Sequence, residues 1–223
     1  MSDDTDLQMS VLAALSWEPS IVAAHIGVTA QDGVVTLSGH VESFVQKHTA
    51  QDAARRVKGV RAVADELDVH LAFDHERGDD DIAAAAVERL AWDASVPAGK
   101  ISLNVDHGWV TMTGDVHWHY QKQAAESAIR SLVGVLGISD QVLITPSVST
   151  SNVSDHIMHA LHRSWFFDPH TISVSAHGGD IRLTGTVNNW HDRQVAAETA
   201  WAAPGATSVQ NDIVVAAVGT VEL

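Results

Sequence analysis

The chain has 223 residues, 45% of them hydrophobic, and its 28 acidic against 13 basic side chains give a net charge of −15 at neutral pH. That balance excludes general nucleic-acid binding, which needs concentrated Lys and Arg against phosphates, and it favours solubility. Cysteine is absent, so disulfides, thiolate zinc sites and thiol nucleophiles are excluded. No apolar run reaches the length of about 18 residues that a membrane-spanning helix needs.

The start, Met1 to Asp6, is acidic and lacks the basic and apolar segments of a secretory signal. A cytoplasmic location is expected, or a periplasmic one if a leader has been removed. Leu7, Val11, Leu12 and Leu15 then fall at the spacing of one helix face, and Thr5-x-x-Gln8 has capping-box form. The same pattern returns as Ile82, Ala86, Val87 and Leu90, with Asp80 at the capping position, and as Val153, Ile157, Met158 and Leu161, with Ser151. Trp17 and Trp92 align at the end of this helix and are expected in the core or in packing between repeats. Pro19, Pro97 and Pro169 mark the loop that follows, where Ile21, Val96 and Phe167 are expected to plug the core.

Alternation of Ile26 with Val28, Ile101 with Leu103 and Ile172 with Val174 predicts a half-buried strand. Asp32-Gly33, His107-Gly108 and Gly178-Gly179 suit a two-residue hairpin turn, because both central positions need positive φ. The second strand carries the clearest signal. Gly33-Val-Val-Thr-Leu-Ser-Gly39 returns as Gly108-Trp-Val-Thr-Met-Thr-Gly114 and as Gly179-Asp-Ile-Arg-Leu-Thr-Gly185. The spacing of about 70 residues is far too long for a solenoid repeat and right for small domains.

Beyond the strand, Ser43-x-x-Gln46 and Asn189-x-x-Asp192 look like helix starts, whereas Trp118 is a poor cap. A helix lined by Ala50, Ala53 and Ala54, by Ala125, Ala128 and Ile129, or by Ala196, Ala200 and Ala203 can approach a sheet closely. Gly59, Gly134 and Gly205 suit its left-handed cap, and Pro204 is expected to shorten the third copy. A third strand runs through Leu67 and Val69, Val142 and Ile144, and Ile213 and Val215. The chain is therefore read as α+β, with three tandem αββαβ domains at 3–72, 79–146 and 151–218 joined by surface linkers over 72–79 and 145–150.

That order of elements, the Gly-x-Val-x-Leu-x-Gly strand, the alanine-lined helix and the pairs Gly59-Val60 and Gly134-Val135 together resemble the BON domain, named for bacterial osmotically inducible protein Y and nodulation proteins. The resemblance implies two helices packed on a three-stranded mixed sheet in each copy. It also implies non-enzymatic roles in envelope integrity, osmotic stress and phospholipid association. The third copy departs at Gly205-Ala206.

Lys47, Arg55, Arg56, Lys58 and Arg61 gather around the end of the first repeat's second helix. Cations there stabilise the helix dipole by about 0.3–1 kcal/mol each. That solvated helix end is the plainer reading; the alternative is a contact for anionic headgroups, at about 1 kcal/mol per residue. Trp109, Trp118 and Trp190 fall on turns or the outer strand face, where they would serve a partner interface or packing against a neighbouring repeat. His159 and His162 share a helix face and are weak candidates for a divalent metal, surface histidines being the plainer reading. No Ser/His/Asp order, phosphate-cradling glycine loop or recurring carboxylate pair stands at aligned positions, so neither an enzyme nor a cofactor is expected. The reading is a binding or adaptor protein that touches a phospholipid surface or another protein. A cation or small-ligand sensor and a homo-oligomeric scaffold are the alternatives, and the oligomeric state is open.

Overall fold

The computed structural model describes residues 3–72, 75–145, 157, 159–160, 171–177, 179–187 and 190–216. Ser151, His162, Gly178, Asn189, the linker beyond Thr145 and most of the third opening helix lie outside them. By contacts the described residues fall into two compact units. One holds those up to residue 89 with 103–111 and 127–139, the other 90–102, 112–126 and those from 140 onward.

The fold is α+β, three repeats with helices and three-stranded mixed sheets. The first repeat runs α1 (Asp3–Ser16), a short 3-10 turn (Ala23–His25), β1 (Ile26–Gln31), β2 (Val34–Val41), α2 (Phe44–Arg55) and β3 (Ala62–Val69). The second runs α3 (Asp79–Trp92), β4 (Ile101–Asp106), β5 (Trp109–Val116), α4 (His119–Arg130) and β6 (Gly137–Ile144). The third supplies β7 (Ile172–His177), β8 (Asp180–Val187), α5 (Trp190–Trp201) and β9 (Ser208–Val215). In the first sheet β2 is central, antiparallel to β1 with Val28 opposite Leu37 and parallel to β3 with Gly39 opposite Leu67. The third sheet repeats that register, with Val174 opposite Leu183 and Gly185 opposite Ile213.

The tight turns form as their residues require. Asp32 and Gly33 both have positive φ, as do His107 and Gly108. The glycine that closes the motif strand answers a different need. Gly39, Gly114 and Gly185 also have positive φ, and a methyl group on them would strike the backbone carbonyls of His25, Lys100 and Thr171. Only glycine permits that approach of the preceding loop.

Leu7, Val11 and Leu15 of α1 pack with Val35 and Leu37 of β2, Ala50, Ala53 and Ala54 of α2 and Leu67 of β3 in one core. Ile181, Leu183, Ala196, Ala200 and Ile213 form the matching core of the third repeat, joined by Ile157. The helix face is narrower than the spacing suggested. Leu12 and Val87, each one residue past the buried stripe, are exposed, because five residues at 100° per residue overshoot the face.

Several local expectations are corrected. Trp17 and Trp92 are 87% and 83% exposed, so neither is core; their helices end at Ser16 and Trp92, at the place where the chain leaves the packed face. Helix α1 already begins at Asp3, and Gln8 donates through Nε2 to the Val28 carbonyl at 2.7 Å rather than closing a capping box. Gly59, Gly134 and Gly205 do not cap the helices, which end at Arg55, Arg130 and Trp201; they shape the turn that follows, closed by Val60 N–H to the Val57 carbonyl in the first copy. Pro204 does not shorten α5, which has 12 residues like α2 and α4.

Candidate binding surfaces

The basic end of α2 is built from a well-formed helix. Ser43 caps it by accepting the Gln46 N–H at 3.2 Å, while Gln46 returns its side-chain oxygen to the Glu42 N–H at 3.1 Å. Gln121 does the same work in α4, accepting from His117 N–H and Trp118 N–H, which is why a tryptophan is tolerated where a cap was expected.

The structure separates the five cations, and Lys47 stands in the first turn of α2 rather than at its end. Lys47 turns inward: its ammonium donates to the Leu67 carbonyl and lies 3.0 Å from Asp65, tying α2 to β3. Lys122 makes the same link to Val142 and Asp140, and Arg193 reaches the carbonyls of Ile213 and Asn211. Lys47 therefore belongs to the repeat's architecture. Arg55 lies 3.4 Å from Asp52, which also holds His48 at 3.0 Å. Burial raises the Asp52 carboxyl, but the hydrogen bond and charge of His48 with the charges of Arg55 and Arg56 together hold it below the ordinary carboxylate value.

Arg56, Lys58 and Arg61 remain exposed on the turn after α2. The stem of Arg61 lies across Gly33, and its N–H donates to the Gly33 carbonyl at 2.8 Å, so the turn is fixed against the β1–β2 hairpin. At the matching places the second copy has Ser131, Val133 and Leu136, and the third Ala202, Pro204 and Thr207. The positive end belongs to the first repeat alone.

The three tryptophans have different surroundings. Trp109 opens β5 with its ring over Gly137 of β6, where a methyl group would strike it. Trp190 opens α5 with the Arg193 guanidinium 4.7 Å from its ring centre. Trp118 precedes α4 and borders a cleft of about 490 Å³ within the second compact unit. Tyr120 and Trp201 add aromatic walls, His119 lies at its edge, and Gln123 and Glu198 contribute the polar groups. His119 stacks on Trp201 with ring centres 4.0 Å apart and planes 12° apart. Burial, then the nearby Lys122 charge, holds the His119 imidazole below its ordinary pKa, against the opposing pull of Asp140 and Glu126. Among the described residues its Nδ1 has no hydrogen-bond partner.

Sequence reasoning missed this cleft, since its walls come from α4 and α5, far apart in the chain. It also missed a row of stacked imidazoles, His25 on His40 at 4.5 Å and His40 on His70 at 5.1 Å, brought together by the end of the 3-10 turn, by β2 and by the residue that follows β3. His159 is exposed and its proposed companion His162 lies outside the described residues. Among the described residues no group of three or more His, Cys, Asp or Glu side chains is arranged to hold a metal ion. None of their helices is long and apolar enough to cross a membrane.

Repeats of this order, each with helices on a three-stranded mixed sheet, define a protein of tandem α+β modules. The BON domain model matches residues 3–70, 78–146 and 149–217, and the chain belongs to the BON domain family. It is 31% identical over 144 residues to osmotically-inducible protein Y of Escherichia coli strain K12, across 63% of this chain and 72% of that protein. Among solved structures it is similar to CdsD, a structural protein of the type III secretion system of Chlamydia trachomatis, at 18% identity and a TM-score of 0.27 over 95% of this chain and 92% of that one. The C-terminal domain of CdsD matches at 18% identity and a TM-score of 0.26, over 96% and 100%. At such scores neither structure carries an inference for this chain.

Proposed function

We propose that the chain is a non-catalytic binding or adaptor protein of the osmotic-stress response that makes weak, transient contact with anionic phospholipid through the first repeat. Family membership and the likeness to osmotically-inducible protein Y support the osmotic setting. The observation that carries the lipid contact is the exposed trio Arg56, Lys58 and Arg61 on one fixed turn of a chain whose net charge is −15. Lys47 and Arg55 are engaged with Asp65 and Asp52, so the contact rests on three charges.

At about 1 kcal/mol per basic residue the three supply about 3 kcal/mol. That is weaker than the roughly 4 kcal/mol of millimolar affinity, so recruitment depends on several copies at one surface or on brief encounters. Flotation with liposomes tests it. Anionic liposomes are expected to recruit the protein above neutral ones, and added salt to release it. Equal recruitment by both, indifferent to salt, would overturn the reading.

A further inference from the structure

We propose that the cleft between Trp118, Tyr120 and Trp201 is a binding site for a small organic cation of the quaternary ammonium class. The inference is independent of the lipid reading, because it uses none of Arg56, Lys58 and Arg61.

The argument begins with what lines the cleft. Its walls are aromatic, and aromatic faces present negative charge density to a cation. Among the described residues its one carboxylate is Glu198, held by the Gln194 side chain at 2.9 Å, and no Lys or Arg lines it. Lys122, one turn into α4, is not among the lining residues, and its charge is met by Asp140 and the Val142 carbonyl. The third repeat has made room for this. At the place of Trp201 the first two copies carry Arg55 and Arg130, so the helix end that is basic in them is aromatic here. The start of α4 and the end of α5 both meet the cleft, and their dipoles, opposite in sign, offset one another.

Ligand class follows from the same lining. A bare metal ion needs a shell of oxygen ligands, and Glu198 and Gln123 alone do not provide one. A primary ammonium would lose strongly bound water for too few acceptors. An anion would face Glu198 and the field of a chain at −15. A trimethylammonium group keeps its charge behind methyl groups, buries apolar surface against the rings and draws cation–π attraction from them. The stack of His119 on Trp201 keeps that wall in place.

Titration of the whole chain with choline chloride, followed by the indole N–H signals of Trp118 and Trp201 in NMR, tests the proposal. Its neutral carbon isostere, 3,3-dimethyl-1-butanol, is the comparison, and potassium chloride controls ionic strength. Choline is expected to shift both indoles saturably and to bind at least about fivefold more tightly than the isostere, the difference being the cation–π and Glu198 attraction. Glu198→Gln is expected to weaken choline while leaving the isostere unchanged. Trp201→Arg, which restores the residue of the other copies, is expected to abolish the response while far-ultraviolet circular dichroism stays that of the parent. Phosphatidylcholine vesicles form a further arm: competition between them and free choline for the same indole shifts assigns the group to a lipid headgroup, and no effect of vesicles assigns it to the free cation. Equal affinity for choline and the isostere, or no shift up to about 50 mM choline, would overturn the site.

Discussion

The Lys47 ammonium lies 3.0 Å from the Asp65 carboxylate, and the same pair returns as Lys122 and Asp140 at 3.3 Å. The acid is itself held by the N–H two residues on: Leu67 donates to the other oxygen of Asp65, and Val142 donates to the same Asp140 oxygen that faces Lys122. A cation from the helix and a bent-back acid on the strand thus close the helix on the sheet in each of these repeats. Lys47→Met and Lys122→Met are each expected to lower stability by about 1–3 kcal/mol, the range for losing a charge-assisted bond and leaving the acid unpaired. Urea unfolding measures it. Lys47→Met should also leave lipid recruitment unchanged, which distinguishes a tie from a lipid ligand.

Gly39 and Gly114 allow a carbonyl of the preceding loop to pass where a Cβ would stand. Gly39→Ala is expected to cost at least about 2 kcal/mol, since positive φ and a backbone collision act together. Gly99 has positive φ too but open space around its Cβ position, so Gly99→Ala should cost only the conformational part, about 1 kcal/mol. Comparison of the two midpoints isolates the collision.

His119 titrates below its ordinary value because burial, then Lys122, disfavours the charged ring. The unfolded chain therefore binds a proton at higher pH than the folded one. Stability contributed by neutral His119 is full above the ordinary histidine range and is lost as pH falls from there towards the lowered folded pKa. His119→Phe keeps an aromatic ring against Trp201, as Phe44 occupies the aligned place in the first repeat, and removes the titration. Its urea midpoint should fall less than the parent's between pH 7 and 5; an identical fall would show that other groups carry the dependence.

What could be read from the chain was what recurs locally. The motif strand, the Asp32-Gly33 turn, the alanine face of α2 and the Ser43 cap each depend on a few adjacent residues and three copies to compare. What could not be read depends on partners distant in sequence. Asp79 sits at a helix start, where a cap was expected from Asp80; its carboxylate accepts the N–H groups of His107 and Gly108, which hold it below the ordinary carboxylate value. Lys47 read as one of a basic cluster until β3 supplied Asp65. The cleft needed α5 beside α4, and the imidazole row needed three separate elements. Exposure of Trp17 and Trp92 ran against hydrophobicity itself, which states a preference for burial and not a place for it.

The central claim is that the first repeat meets anionic lipid through the turn after α2. Flotation of Arg56→Gln/Lys58→Gln/Arg61→Gln beside the parent, with anionic liposomes at low salt, tests it most directly. Glutamine keeps polarity and removes charge. The account expects the variant to lose most of its recruitment while its melting temperature stays near the parent's, since all three side chains are exposed. A variant that floats as well as the parent would contradict it, leaving the cations as the solvated end of a helix.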